Sequence, residues 1–300
     1  MVGYMHPSYA ESLCEFGIPR KLPHSGGSIL IRHIPGFTDV DAMGCYPLFF
    51  CQDWCQLHSD LQNVDGELVS LAIVTDPFGK FDKRYLGDSF DSVIPFKEHF
   101  IVDLQLSTSD LVSAHHRYYA RKAVKCLQVE ECPEPIKCID EWVALYTNLM
   151  SRHGLSGIKT FSRDAFARQL EIPGTVMFRV LHQHVTVAAQ IWFVQGEVGY
   201  SHLTALSEAG YALRASYALY WFAMEYFLGK VRWLDLGAGA GTNNNANDGL
   251  SEFKRGWSSG TRTTYFCGRI FNRERYAEIT KATYSTDTNY FPAYRKGEFG

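Results

Sequence analysis

Residues 233–256 read WLDLGAGAGTNNNANDGLSEFKRG, and the interpretation of the whole chain turns on them. The apolar opening Trp233-Leu234-Asp235-Leu236 predicts the end of a strand over residues 231–236. Gly and Asn dominate residues 237–249, where they permit tight turns at positive φ. A short helix is then expected around Phe253. Upstream, residues 213–228 predict one apolar helix that runs straight into this strand. Before that helix the apolar period is two. The segments TVMFRVLHQ, VTVAAQIWFV and EVGYSHLTAL, separated at His184 and Gly196, predict a three-stranded antiparallel meander over residues 175–206.

Further toward the N-terminus, helices are expected at residues 139–153, ended by Gly154, and at 163–170. Ser107-Thr108-Ser109-Asp110 supplies capping oxygens for a helix over residues 111–125. Arg117, Arg121, Lys122 and Lys125 make the end of that helix basic, which suits either the helix dipole or a ligand. Strands are expected at residues 66–75 and 100–106, and a helix at 47–61. Residues 76–98 predict a long loop, and residues 1–36 a lead-in with one strand at 28–34. A strand pair is expected near residues 261–270. This alternation defines an α/β protein.

Composition narrows the function classes. The chain has 300 residues, 46% hydrophobic and 20% charged, as an ordinary folded protein does. Its 29 Lys and Arg against 32 Asp and Glu leave a net charge of -3, too balanced to coat duplex DNA through its phosphates. The last fifty residues carry +4 and the remainder -7. The longest apolar runs, such as residues 218–228, fall short of the ~18 residues of a membrane helix. The first thirty residues lack the apolar core of a secretory signal, so a cytoplasmic location is expected. Neither Cys51-x3-Cys55 nor the Cys126, Cys132, Cys138 series has zinc-ribbon spacing, and reduced thiols are expected. His182-x-His184 and His115-His116 each lack a third ligand, so no metal is assigned.

Taken alone, WLDLGAGAGT is similar to the glycine loop with which methyltransferases hold S-adenosylmethionine. That fold needs further strands and helices after the loop, and no second βα unit with an acidic residue for the ribose follows here. Joined to its sequel, the segment resembles something else. Asp235-Leu236-Gly237, the Gly/Asn loop, and then Gly249-Leu250-x-x-Phe253-Lys254 with Gly256 and Gly260 resemble the C-terminal signature of the Fem family of nonribosomal peptidyl transferases and their relatives in the GNAT acyltransferase superfamily. Phe50-Cys51-Gln52-Asp53-Trp54 resembles the family's early aromatic helix. Asp103-Leu104, followed by Arg117-x3-Arg121-Lys122-Ala123, resembles the strand and basic helix that end its first lobe. The order of these matches, from about residue 47 to residue 270, carries the resemblance.

The resemblance implies an α/β fold of two tandem GNAT-like lobes, residues 1–130 and 131–300, with mixed, largely antiparallel sheets flanked by helices. The site would lie in the cleft between the lobes. In GNAT enzymes a loop of the form Gln or Arg, two residues, Gly, one residue, Gly or Ala binds the acyl-CoA pyrophosphate. In Ser207-Glu208-Ala209-Gly210-Tyr211-Ala212, Gly210 and Ala212 match and Ser207 does not. Fem-type members take an aminoacyl group from the 3'-end of a charged tRNA instead and need no CoA.

Either reaction sends an amine against an activated carbonyl, so the protein must align the two, accept a proton and steady an oxyanion. By resemblance, Lys254 would hold the developing negative charge or the terminal ribose-phosphate, and Phe253 would wall the site. Arg214 and Tyr217, one helical turn apart, suit the donor or an acceptor phosphate. Tyr200 and His202 alternate on one strand; His202 is either the proton acceptor or a satisfied core histidine. Gly210, Tyr211, Asp235 and Asn243 are the remaining residues expected to bind substrate, as is Tyr200. The expected function is an aminoacyl-tRNA-dependent transferase, with the acceptor end of the tRNA as donor and a peptide or peptidyl-nucleotide amine as acceptor, serving cell-wall precursor or peptide antibiotic biosynthesis. No cofactor is implied. A GNAT-type N-acyltransferase using acyl-CoA, and a binding protein without turnover, are the alternatives.

Overall fold

The computed structural model of the protein describes residues 1–64, 66–107, 111–241 and 248–298. The chain begins with α1 (Pro7–Glu11), β1 (Ile18–Lys21), β2 (Ser28–His33), β3 (Val40–Gly44), α2 (Leu57–Asn63), β4 (Ser70–Val74), α3 (Lys83–Ser89) and β5 (Ser92–Asp103). Next come α4 (Ala114–Ala123), β6 (Gln128–Glu131), α5 (Ile139–His153), α6 (Arg163–Leu170), β7 (Thr175–His182), β8 (Val185–Gln195) and β9 (Val198–Leu206). It continues with α7 (Glu208–Ala212), α8 (Ala215–Phe227), β10 (Trp233–Asp235), α9 (Gly249–Arg255), β11 (Gly260–Ile270) and α10 (Arg273–Ala282). The protein is α/β with a mixed sheet. No helix among the described residues is long and apolar enough to cross a membrane.

Two compact units divide the chain, and both are discontinuous: residues 1–6 with 98–262, and residues 7–97 with 263–300. Residue 130, the expected lobe boundary, lies within the first of them, in β6.

In the second unit the strands follow the order β1-β2-β3-β4-β11. β3 and β4 are parallel and the other neighbours antiparallel, with Ile73 opposite Cys267. Phe49, Trp54, Leu61, Ile73, Leu86 and Cys267 form its core. The expected lead-in is in fact three strands. β1 and β3 are too short to show a period, and β3 carries Asp41, a carboxylate buried against the Arg295 guanidinium at 2.6 and 2.8 Å. The helix expected from residue 47 starts later, because the Phe49 amide donates to the Val74 carbonyl and Asp53 caps the first turn through the Cys55 amide. Residues 76–98 are not a long loop: Asp82 caps α3 and β5 begins at Ser92. The expected final strand pair is the single strand β11. Much of the C-terminal positive charge is neutralised here, with Arg273 on Asp91, Arg275 on Asp39 and Arg295 on Asp41.

In the first unit the order is β5-β10-β9-β8-β7-β6, with β10 parallel to β9 and antiparallel to β5. The meander β7-β8-β9 and the helices α5 and α6 fall on their expected spans. Alternation along β8 places Trp192 against Phe227 of α8 and Phe193 against His202 and Tyr4, so helices cover both faces and β8 is buried nearly throughout. Two bulges interrupt the ladders: Val187 is the extra residue opposite Leu181 and Thr186's pairing, and His202 the extra residue between Ser201 and Leu203. The helix expected at residues 213–228 is broken at Arg214, whose φ of 57° ends α7 and starts α8.

Candidate active site

The candidate site residues Asp235 and Lys254 lie within the first unit, where β10 delivers Asp235 and the chain returns through α9. Asp235 is buried. Its carboxylate accepts from the Gly237 amide at 2.7 Å and from the His99 Nδ1 of β5 at 2.9 and 3.0 Å. With Nδ1 donating to the carboxylate, His99 Nε2 is the ring's acceptor nitrogen.

Asp248 opens α9 by accepting from the Leu250 and Ser251 amides at 2.9 and 3.0 Å. Burial pushes its carboxyl up, but hydrogen bonds from Ser251, Ala240 and Leu250 hold it below the usual value. The cap sets α9 so that Lys254 turns inward. Its Nζ, 9% exposed as a residue, donates to the Ala238 carbonyl at 2.7 Å. Burial lowers the ammonium to about 8, against the opposing pull of Asp235 and Asp248. An amine of this kind is charged at neutral pH yet sparsely hydrated, so it acts strongly on nearby negative charge.

Phe253 faces an aromatic group. Its ring lies 5.1 Å from both Tyr217 and Tyr220 of α8 and 5.5 Å from His116 of α4, with Trp257 at 6.1 Å. The Phe253 carbonyl accepts from His116 Nε2 at 2.9 Å, so Nδ1 accepts from the Ser113 hydroxyl at 2.8 Å. Burial lowers the pKa of His116, which the Phe253 carbonyl opposes. Gly256 is required here, because a Cβ would run into the His116 ring. Arg214 lays its guanidinium 3.7 Å from the Tyr119 ring centroid, and Tyr119 lies 5.5 Å from Tyr217.

Of the residues expected from sequence, Lys254, Phe253, Tyr217, Arg214 and Asp235 gather around α9. Tyr200 and His202 lie elsewhere in the unit, in a layer with Tyr4. His202 Nδ1 is 2.9 Å from the Tyr4 hydroxyl and its Nε2 3.2 Å from Gln169 Oε1, with Phe161 and Phe193 against the ring. Burial lowers His202 to about 3. Gly210 and Tyr211 sit on α7. The bulged Val187 turns its carbonyl to the Ser207 amide and hydroxyl, at 2.9 and 3.1 Å, and a Cβ at Gly210 would strike that carbonyl. The Gly210 amide donates to Ser207 Oγ at 3.1 Å. Tyr211 lies under Arg152 at 4.2 Å. Asn243 lies outside the described residues. His99, His116 and Trp257 were not singled out from sequence as site residues. His115-His116 drew attention only as a metal pair, and His99 needs the β5–β10 pairing, which joins segments 136 residues apart. Among the described residues no group of three or more His, Cys, Asp or Glu is placed to hold a metal ion.

No family model and no curated protein matches the sequence. Solved structures do match the fold. The chain is similar to FemX at 14% identity, covering 92% of this chain and 94% of that one with a TM-score of 0.67. It is similar to the C-terminal domain (DUF2156) of a putative lysylphosphatidylglycerol synthetase from Agrobacterium fabrum at 15% identity, 89% and 88% coverage and a TM-score of 0.64. L-PGS from Bacillus licheniformis matches at 16% identity, 91% and 94% coverage and a TM-score of 0.57. The fold is therefore one shared with FemX and L-PGS along nearly the whole chain.

Proposed function

We propose that the protein is an aminoacyltransferase that moves an aminoacyl group from the 3'-end of a charged tRNA to the amine of a peptide or peptidyl-nucleotide, forming an amide. The observation that carries this is the Lys254 ammonium, buried beside the Asp235–His99 pair at the mouth of the Gly237 loop. The fold shared with FemX and L-PGS supports it, and a lysylphosphatidylglycerol synthetase is named for a product that bears an aminoacyl group.

In this reading the acceptor nitrogen attacks the ester carbonyl while His99 Nε2 takes its proton. Asp235 keeps His99 in the required tautomer and stabilises the imidazolium that forms. Lys254 faces the oxyanion of the tetrahedral intermediate. As that collapses, the bond to the ribose oxygen breaks and the leaving oxygen receives the proton from His99. Phe253 and Tyr217 wall the site against water, and Arg214 binds a phosphate or carboxylate of a substrate. His202, with both nitrogens engaged, holds the meander to Tyr4. Gly210 packs against the Val187 carbonyl and its amide is taken by Ser207 Oγ, which accounts for the glycine without an acyl-CoA phosphate on α7.

The test supplies tRNA charged with labelled amino acids and a cell extract as the source of acceptor. Label entering small RNase-resistant products, and its loss after RNase pretreatment of the donor, is the expected result. Transfer from acetyl-CoA or a longer acyl-CoA with none from charged tRNA would overturn it.

A further inference from the structure

α4 has two faces with different chemistry. Its inner face carries His116 and Tyr119, which touch Phe253 and Tyr217. Its outer face carries Arg117, Tyr118, Arg121 and Lys122, and Lys125 follows in the next turn. Together with Ala114 these residues line a surface pocket of about 430 Å³. Arg117 and Arg121 lie one turn apart on one side of α4, about 6 Å from each other, and Lys125 lines the same pocket just past the helix end. That spacing is the scale of successive phosphates on one RNA strand. No acidic residue occurs from Leu111 to Val129.

A helix dipole explains only part of this. It favours cations in the last turn, where Arg121 and Lys122 lie, but not at Arg117 in the second turn. Elsewhere on the surface Arg20, Arg152, Arg163, Arg179 and Arg273 each pair with a carboxylate. Among the described residues Arg121, Lys122 and Lys125 have no such partner, and Arg117 is braced by the Val112 carbonyl. Tyr118 stands in their midst at 60% exposure, a ring available for stacking. A concave basic strip with an aromatic centre fits a ridge of phosphates better than a flat lipid surface.

We infer that the outer face of α4 binds the backbone phosphates of an RNA, holding the acceptor arm of the donor tRNA while its 3'-end reaches Phe253 and Lys254 past the inner face. This rests on the aminoacyl-tRNA reading above and deepens it. A net charge of -3 is compatible, since one strip of cations and not the whole surface meets the RNA.

The experiment measures filter binding of 5'-labelled bulk deacylated tRNA across a salt series, for the full chain and for the triple variant Arg121→Gln, Lys122→Gln, Lys125→Gln. A control triple replaces Lys21, Lys137 and Lys281 by Gln, and melting temperatures check folding. Removing three phosphate contacts should weaken binding on the order of tenfold or more and flatten the log–log salt slope by about 2–3. The control triple should leave both unchanged. A tRNA affinity and slope equal in the full chain and the α4 triple would overturn the site. Transfer from charged tRNA that persists beside that result would leave the aminoacyltransferase reading standing. Patch-dependent tRNA binding without transfer would do the reverse. Binding to phosphatidylglycerol vesicles that depends on the patch, with RNA binding that does not, would assign the strip to lipid and overturn the proposal, as would the full chain's failure to bind tRNA at all.

Discussion

His99 Nδ1 lies 2.9 Å from one Asp235 carboxylate oxygen and 3.0 Å from the other, joining the middle of β5 to the end of β10. The pair is buried, yet the far nitrogen of the imidazole is left without a hydrogen bond to any described residue, which is the disposition of a general base.

His99→Ala should therefore lower kcat by about 10²–10⁴-fold, and added imidazole should restore part of it. His202→Asn should do the opposite. With its contacts to Tyr4 and Gln169 lost, the protein should lose roughly 1–3 kcal/mol of stability while kcat per folded molecule is retained. Steady-state rates paired with urea denaturation separate the two. Equal loss of kcat in both variants would remove the distinction drawn between them.

Lys254 should make activity and stability depend on pH in opposite senses. Its folded value of about 8 is below its ordinary 10.5, so between these the unfolded chain binds more protons and stability rises with pH. The charged form is the one that faces an oxyanion, so kcat/KM should fall as pH passes about 8. Lys254→Met should cost about 10²–10³-fold in kcat and abolish both trends. Rate profiles and urea midpoints across that window check the pair of signs.

Gly210→Ala should destabilise the protein by about 1–3 kcal/mol, because the new methyl meets the Val187 carbonyl, a backbone atom with no rotamer to escape into. Calorimetry reads the lowered Tm. KM for the acyl donor should be unchanged at temperatures where the variant is folded. A selective rise in KM for an acyl-CoA would return Gly210 to a phosphate-binding role.

Arg295→Met should cost roughly 3–5 kcal/mol by leaving the buried Asp41 carboxylate with only the more distant Arg32, 3.6 Å away. Asp41→Asn combined with Arg295→Met should recover part of that loss, since both members of the close pair are then gone and Arg32 keeps Glu298. Chemical denaturation of the single and double variants measures the difference.

What the sequence made legible was local. The meander, α5 and α6 lie within a residue or two of their expected spans because period and caps suffice there, as with Gly154 at φ 60° ending α5. β1, β3 and α3 escaped because short elements carry too little pattern, and Asp41 in β3 looks like a loop residue until Arg295 is beside it. The site divided along the same line. Phe253 and Lys254, as candidates, are neighbours in sequence and need no tertiary contact to be noticed. His99 meets Asp235 only through strand pairing, and Arg214, at φ 57°, interrupts a helix that periodicity would have continued.

The pairing of β4 with β11 has a bearing on biogenesis. Ile73 pairs with Cys267, almost two hundred residues later, so β4 is synthesised long before the strand that covers its edge. Until then the edge of β4 is an open template for another strand, and the core around Phe49 and Trp54 lacks Tyr265 and Cys267. Slow closure of so long a chain loop makes premature termination near residue 260 a source of aggregation rather than of a shortened but folded protein.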